Sequence, residues 1–184
     1  MPGTSPAAVW TDPAWRASAD AWIRDELERM GAHVVGPIAQ PHIVPWSTVL
    51  RVPTDGGDVY FKANARELSH EAAVHALLAE RRPDCVPPLL AVEPKRGWML
   101  MTDGGTRLRD LVEDERDLAR WLDVLPLYAS LQIDVTDAAA DLIALGAPDL
   151  RLAALPERFE RLLDDLGGLP PGERQRLRDA VPRV

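Results

Sequence analysis

A turn sequence between two apolar segments constrains the fold of this 184-residue chain more than any other feature. Residues 54–58 have the sequence Thr-Asp-Gly-Gly-Asp. Asp-Gly and Gly-Gly pairs supply the positive φ angles that tight turns between antiparallel strands need. The flanking residues 46–52 and 59–63 are rich in β-branched and aromatic side chains, which favour strands. We therefore expect an antiparallel hairpin, and hence a sheet, in the first half of the chain.

A helix is expected on either side of this hairpin. Asp12 and Pro13 form a typical helix start, because the Asp side chain can cap free N–H groups and proline fits the first helical position. Apolar residues then recur at helical spacing as far as Gly31. After the hairpin, residues 64–67 (Asn-Ala-Arg-Glu) have the form of a capping box. The helix behind them is expected to end before Pro83.

Further strands and a helical C-terminal part complete the expected α+β fold. Residues 34–43 predict a broken or edge strand, because prolines interrupt them and proline cannot donate to a ladder. Residues 86–92 and 98–101 are two short apolar runs that predict a second hairpin. From Thr106 onwards the apolar spacing is helical.

Composition and charge limit the classes of function. With 46% hydrophobic residues the chain can bury a core, and its length suits one ordinary domain, or one small lobe and part of another. A formal charge of −8 argues against a nucleic-acid partner, which needs a basic face. The single cysteine, Cys85, excludes an internal disulfide framework and a cysteine metal cluster. We find no secretory signal and no apolar run of about 20 residues, so we expect a soluble, cytoplasmic protein without a membrane partner.

Lys62 and Glu71 form the strongest candidate for a functional pair. Lys62 lies in the apolar run 59–63, and the chain contains only one other lysine, Lys95, although it is rich in arginine. Glu71 opens the apolar-periodic helix that follows, whereas Glu67 occupies a capping position. A compact ammonium group can contact phosphate oxygens while it pairs with a carboxylate. The structural alternative is a solvated lysine that protects an edge strand from aggregation.

Two other segments could contact a nucleotide. Ser47 and Thr48, at the start of a strand, could offer hydroxyl and N–H groups to a phosphate, although such residues are common at strand starts. Residues 98–105 predict either a buried strand that leaves its sheet through glycines or a hinge. In a hinge, the backbone would hydrogen-bond an adenine edge while Met101 packs against the ring.

The order of these motifs resembles that of a known enzyme family. The segments are Tyr-Phe-Lys at 60–62, His-Glu at 70–71, Trp-Met-Leu-Met-Thr-Asp-Gly-Gly at 98–105 and Leu-Tyr-Ala-Ser-Leu-Gln at 127–132. Together they resemble the aminoglycoside phosphotransferase family, which are small-molecule kinases with a protein-kinase-like fold. The similarity extends from about residue 36 to the C-terminus.

The resemblance implies a division of the chain and a role for each candidate residue. Residues 1–101 would form an N-terminal nucleotide-binding lobe: an antiparallel sheet, a clamp helix that carries Glu71, and an N-terminal helical extension. Residues 102–105 would be the hinge, and residues 106–184 the first helices of an incomplete helical C-terminal lobe. Lys62 would bind the α- and β-phosphates of ATP or GTP, and Glu71 would orient Lys62. The adenine-facing hinge would comprise Met101, Thr102, Asp103 and Gly104.

One part of the family pattern is missing from this sequence. The catalytic loop of the family runs His-Gly-Asp-x-x-x-x-Asn, and a later aspartate binds metal. Here no histidine is followed two positions later by aspartate, and the only asparagine is Asn64. His70 and His75 would lie about 140° apart on a helix, so they are poorly placed to share a metal ion. We therefore expect neither a catalytic residue nor Mg²⁺ ligands in this chain.

These observations leave three hypotheses open. The favoured one is a truncated N-terminal part of a phosphotransferase that moves a phosphoryl group from ATP or GTP, with Mg²⁺, to a hydroxyl of a small molecule. Such a part is expected to be inactive by itself and to self-associate through exposed C-terminal helices. The second is a non-catalytic pseudo-kinase module that binds a nucleotide or a partner. The third is an interaction module unrelated to kinases.

Overall fold

A computed structural model describes residues 6–180, which form an α+β fold with one five-stranded antiparallel sheet and seven α-helices. The strands are β1 (Ala39–Val44), β2 (Ser47–Thr54), β3 (Gly57–Asn64), β4 (Leu89–Glu93) and β5 (Trp98–Thr102). The helices are α1 (Pro13–Arg29), α2 (His70–Arg81), α3 (Leu108–Glu115), α4 (Arg120–Asp134), α5 (Ala139–Ala144), α6 (Leu155–Asp165) and α7 (Pro171–Ala180). The α+β class expected from the sequence is confirmed. None of the described helices combines the length and the apolar character needed to cross a membrane.

Helix α1 begins and ends where the sequence predicts. The Asp12 carboxylate accepts hydrogen bonds from the backbone N–H groups of Ala14, at 2.7 Å, and Trp15, at 3.1 Å. These bonds satisfy two of the free donors at the helix start. At the other end Gly31 has φ +73°, and the next N–H donates to the Leu27 carbonyl at 2.9 Å. This left-handed C-terminal cap explains why the helix stops there.

The sheet order is β1-β2-β3-β5-β4, and every neighbouring pair is antiparallel. The predicted hairpin joins β2 to β3 through residues 54–57, where Gly57 has φ +113°. The Thr54 hydroxyl closes this turn by donating to the Gly57 carbonyl at 2.6 Å. The second predicted hairpin joins β4 to β5. Helix α2 lies between β3 and β4 in the chain and packs against β4.

The two faces of the sheet differ in burial. Side chains alternate along a strand, and residues paired across strands share a face. On the core face, Thr48, Leu50, Val52, Phe61 and Leu100 are fully buried. The lysine face carries Val49, Arg51, Tyr60, Lys62, Met99 and Met101, of which Met99 alone is fully buried.

Helix α1 covers the core face with aromatic side chains. Its residues Ala19, Ile23 and Leu27 are buried in the same cluster as the core-face residues. The Trp22 ring lies 5.7 Å from that of Phe61, in a tilted arrangement that aromatic pairs favour. The core of the sheet therefore lies between this face and α1.

The chain divides into two compact units, Met1–Ala147 and Pro148–Val184. The first contains the whole sheet and helices α1 to α5. In the second, α6 and α7 are joined by ion pairs, of which Arg178–Glu160 measures 2.7 Å. The lobe boundary expected at residues 102–105 falls within the first unit and stays a prediction.

Two strand boundaries expected from the sequence are wrong. Strand β1 begins at Ala39, and Val34 forms only an isolated bridge with Thr54. Strand β4 begins at Leu89 rather than at residue 86, because two prolines directly precede it and cannot donate to the ladder.

The capping box expected at residues 64–67 is also wrong. Asn64 is the last residue of β3, where it still pairs with Ser47, and its N–H donates to the Gly97 carbonyl at 3.2 Å. A short 3-10 segment, Arg66–Leu68, follows without a side-chain cap, and α2 begins only at His70. The ladder therefore holds Asn64 in an extended conformation, and its side chain, 4% exposed, faces the interior.

Candidate functional site

Lys62 and Glu71 form the predicted ion pair. The Lys62 ammonium group donates a hydrogen bond to the Glu71 carboxylate, and the two side chains are 28% and 41% exposed. Exposed and half-exposed ion pairs contribute little to stability, typically about 0–1 kcal/mol. The pair therefore matters mainly because it fixes the position of the ammonium group. The alternative of a freely solvated lysine does not agree with this geometry.

The strands on either side of Lys62 give it a mixed environment. In the sheet register Lys62 lies between Val49 of β2 and Met99 of β5, both apolar. Met99 is fully buried, whereas Val49 is half-buried. A positive charge that lies above apolar side chains and stays partly exposed can contact an anionic group without being buried itself. This arrangement suits a phosphate-bearing ligand.

Helix α2 determines where Glu71 lies, and polar contacts hold this helix at its far end. Arg82, directly after α2, donates to the Asp84 carboxylate at 2.8 Å, to the Ser130 hydroxyl at 3.2 Å and to Asp134 of α4. The hydrogen bond from Arg82 holds the pKa of Asp84 well below its usual range. The preceding Arg81 forms a second bridge, to Asp137, at 2.6 Å. The helix that carries Glu71 is thereby connected to α4 and to the segment after it.

A further contact connects α2 to the segment before β4. The His75 ring nitrogen Nε2 lies 2.9 Å from the Pro87 carbonyl oxygen. Pro87 also lies close to Gly104, where an added Cβ would meet the Pro87 ring at 3.2 Å. The predicted hinge and the helix that carries Glu71 therefore share a neighbour. Neither this connection nor the contacts of the two arginines were predicted from the sequence, although the consecutive Arg-Arg-Pro at a helix end is a signal for the arginine contacts.

The predicted hinge residues lie at the end of β5. Met101 pairs with Tyr60 and shares the lysine face, while the N–H of Thr102 donates to the Pro88 carbonyl at 3.0 Å. The Asp103 carboxylate accepts from the N–H of Gly105, at 2.8 Å, in a turn where Gly105 has φ +84°. Gly104 is exposed beside this turn. Met101 thus lies on the same side of the sheet as Lys62, and the strand ends directly beside it.

Ser47 and Thr48 lie inside the sheet. Thr48 is fully buried on the core face, where its hydroxyl donates to the His42 carbonyl at 2.8 Å and accepts from Gln40 at 2.9 Å. Ser47 is buried as well, at the start of β2 beside Asn64. The Thr48 hydroxyl is therefore used in the core, and the geometry gives no support to its contact with a phosphate.

The site contains no metal cluster among residues 6–180. In this part of the chain no three His, Cys, Asp or Glu side chains lie close enough together to hold a metal ion. The expected lack of Mg²⁺ ligands stays a prediction, because Mg²⁺ beside a nucleotide is often held by only one or two carboxylates and the phosphates.

No family model matches this chain, and neither the curated proteins nor the solved structures contain a match.

Proposed function

We propose that the first unit of this chain is a nucleotide-binding lobe of a phosphotransferase that acts on a hydroxyl of a small molecule. The observation that carries the proposal is the ion pair between Lys62 and Glu71 on the half-open face of an antiparallel sheet. In kinase-like enzymes a strand lysine paired with a helix glutamate positions the nucleotide phosphates.

The arrangement around the pair supports the same proposal. The resemblance to aminoglycoside phosphotransferases implies an antiparallel sheet with a clamp helix for the N-terminal lobe. The five-stranded antiparallel sheet, with α2 between β3 and β4 in the chain, supports that part of the proposal. Met101 lies on the lysine face near the exit of β5, where an adenine ring would pack. The proposed ligand is therefore ATP or GTP, with its phosphates at Lys62 and its base at residues 101–104.

The test is calorimetric titration with ATP and with GTP. We expect the wild-type chain to bind at least one of them, and Lys62→Ala to weaken that binding at least about tenfold, which is 1.4 kcal/mol of binding free energy. Lys95→Ala is the matched control, because Lys95 is the other lysine and is exposed outside this face. Glu71→Gln should weaken binding in the same direction, whereas Glu67→Gln should not.

Two results would exclude the proposal. One is a wild-type chain that binds neither nucleotide at millimolar concentration. The other is equal nucleotide affinity in Lys62→Ala and Lys95→Ala. Binding without phosphotransfer is expected both of a truncated phosphotransferase and of the alternative, a non-catalytic pseudo-kinase module, since the sequence contains no His-x-Asp-x-x-x-x-Asn loop. A chain that binds ATP and is a monomer at every concentration would favour the module.

A second part of the proposal concerns self-association through α4. Apolar side chains on and just before this helix are exposed, among them Leu118, Trp121, Leu122 and Leu125. Contiguous exposed apolar surface is typical of interaction sites. We propose that this stripe binds a second copy of the chain. Light scattering should show an average mass that rises with protein concentration in the wild type. In Leu122→Glu the mass should be that of a single chain. A wild-type monomer at every concentration would exclude self-association.

A further inference from the structure

A cavity with a clear chemical character lies outside the predicted nucleotide site. It has a volume of about 540 Å³, within the range of small-molecule sites. Its walls include Trp10, Trp15, Trp46 and Trp98, and none of the residues predicted to contact a nucleotide lines it. We call it the tryptophan cavity.

The indole walls of this cavity are held in different ways. Trp10 is buried, and its ring N–H donates to the Val44 carbonyl at 2.8 Å. Trp15 meets Trp10 edge-on, with ring centroids 5.3 Å apart. Trp46, by contrast, is 56% exposed in the turn between β1 and β2. A large aromatic side chain left at the rim of a cavity is typical of binding surfaces, where it offers a flat ring for stacking.

The charge at the rim of the cavity is opposite in sign to the net charge of the protein. Arg66, Glu67 and Arg96 line it, so arginine outnumbers glutamate in a chain whose formal charge is −8. Most arginines of this chain have a carboxylate partner, as Arg16, Arg82 and Arg178 do. Among residues 6–180, Arg66 and Arg96 belong to no ion pair. The Arg96 guanidinium lies 4.6 Å from the Trp98 ring centroid, which holds it at the cavity.

We propose that the tryptophan cavity binds a planar aromatic molecule that carries a carboxylate. The ring would lie against the indole walls, with Trp46 closing over it, and the carboxylate would face Arg66 and Arg96. Planar guanidinium groups suit carboxylates in particular, because they can donate two parallel hydrogen bonds. A cationic ligand is disfavoured, since two arginines already lie at the rim.

The test compares three probes that share one ring. Indole-3-acetate carries the anion, indole-3-acetamide is its neutral counterpart, and tryptamine carries a cation. In calorimetric titrations of the full chain we expect indole-3-acetate to bind at least tenfold more tightly than the amide, and tryptamine to show no binding. Equal affinity for the acid and the amide, or no binding of the acid at millimolar concentration, would overturn the proposal.

Variants at exposed positions identify the site without risk to the fold. Arg66→Gln and Trp46→Ala should each weaken binding of indole-3-acetate at least fivefold. Arg109→Gln is the matched control, because Arg109 is exposed, belongs to no ion pair in the described chain and lies on α3. Binding that survives in both Arg66→Gln and Trp46→Ala would show that the acid binds elsewhere.

Lys62→Ala separates this site from the proposed nucleotide site. It should leave the affinity for indole-3-acetate unchanged, so failure of the proposed nucleotide site does not affect the outcome.

Discussion

The two faces of the sheet show how adjacent residues in one strand serve different purposes. Phe61 on the core face is fully buried among the indole rings of α1, whereas Lys62 on the lysine face keeps 28% of its side chain exposed. Packing positions the first, and a single ion pair with Glu71 positions the second. The core face thus provides most of the stability, while the lysine face offers charge and open surface to a ligand.

The largest expected effect tests this division directly. Phe61→Ala removes a fully buried aromatic ring and should lower the free energy of unfolding by about 3–5 kcal/mol. Lys62→Ala, one residue further along the strand, should change it by less than about 1 kcal/mol, because its ion pair is partly exposed. Urea denaturation followed by tryptophan fluorescence measures both. Similar losses of unfolding free energy in the two variants would show that the lysine face also contributes substantially to stability.

The parts of this molecule that could be predicted from the sequence depend on local chemistry. The turn at residues 54–57 needs only its own glycines and the strands beside it. The Lys62–Glu71 pair needs a strand, a short connection and a helix, and the two residues are nine positions apart in the chain. Asp12 caps α1 through neighbours two and three positions away. In each case the determining contacts lie close together in the chain.

The parts that could not be predicted depend on distant contacts. Arg82 meets Asp134 across 52 positions, and no pattern in the sequence marks either residue as a partner of the other. Asn64 matches the capping-box pattern, but its pairing with Ser47 in the ladder prevails over that local tendency. The tryptophan cavity needs residues from α1, two turns and β5 together, so it becomes visible only in the fold.

A smaller effect, the dependence of folding stability on pH, distinguishes the ion pairs that hold α2 from the apolar contacts that hold α1. The hydrogen bond from Arg82 lowers the pKa of Asp84 in the folded chain, whereas in the unfolded chain that pKa is about 3.9. The pair therefore stabilises the fold above about pH 4, and this contribution is lost as the pH falls further. We expect Asp84→Asn to lower the melting temperature slightly at pH 7 and to make a progressively smaller difference as the pH falls from 4 towards 2. The apolar contacts of α1 carry no such dependence.

The control for this pH effect is Glu113→Gln. Glu113 is an exposed carboxylate on α3 that forms no ion pair in the described chain. Thermal melts of the wild type and both variants between pH 7 and pH 2 give the comparison, with circular dichroism as the signal. Because Asp84 is 58% exposed, solvent screens its pair with Arg82, so the difference should be small and should shrink below about pH 4. If Asp84→Asn and Glu113→Gln lose stability in parallel as the pH falls, the arginine network does not hold α2 in place. The position of Glu71 would then depend on the packing of α2 against β4.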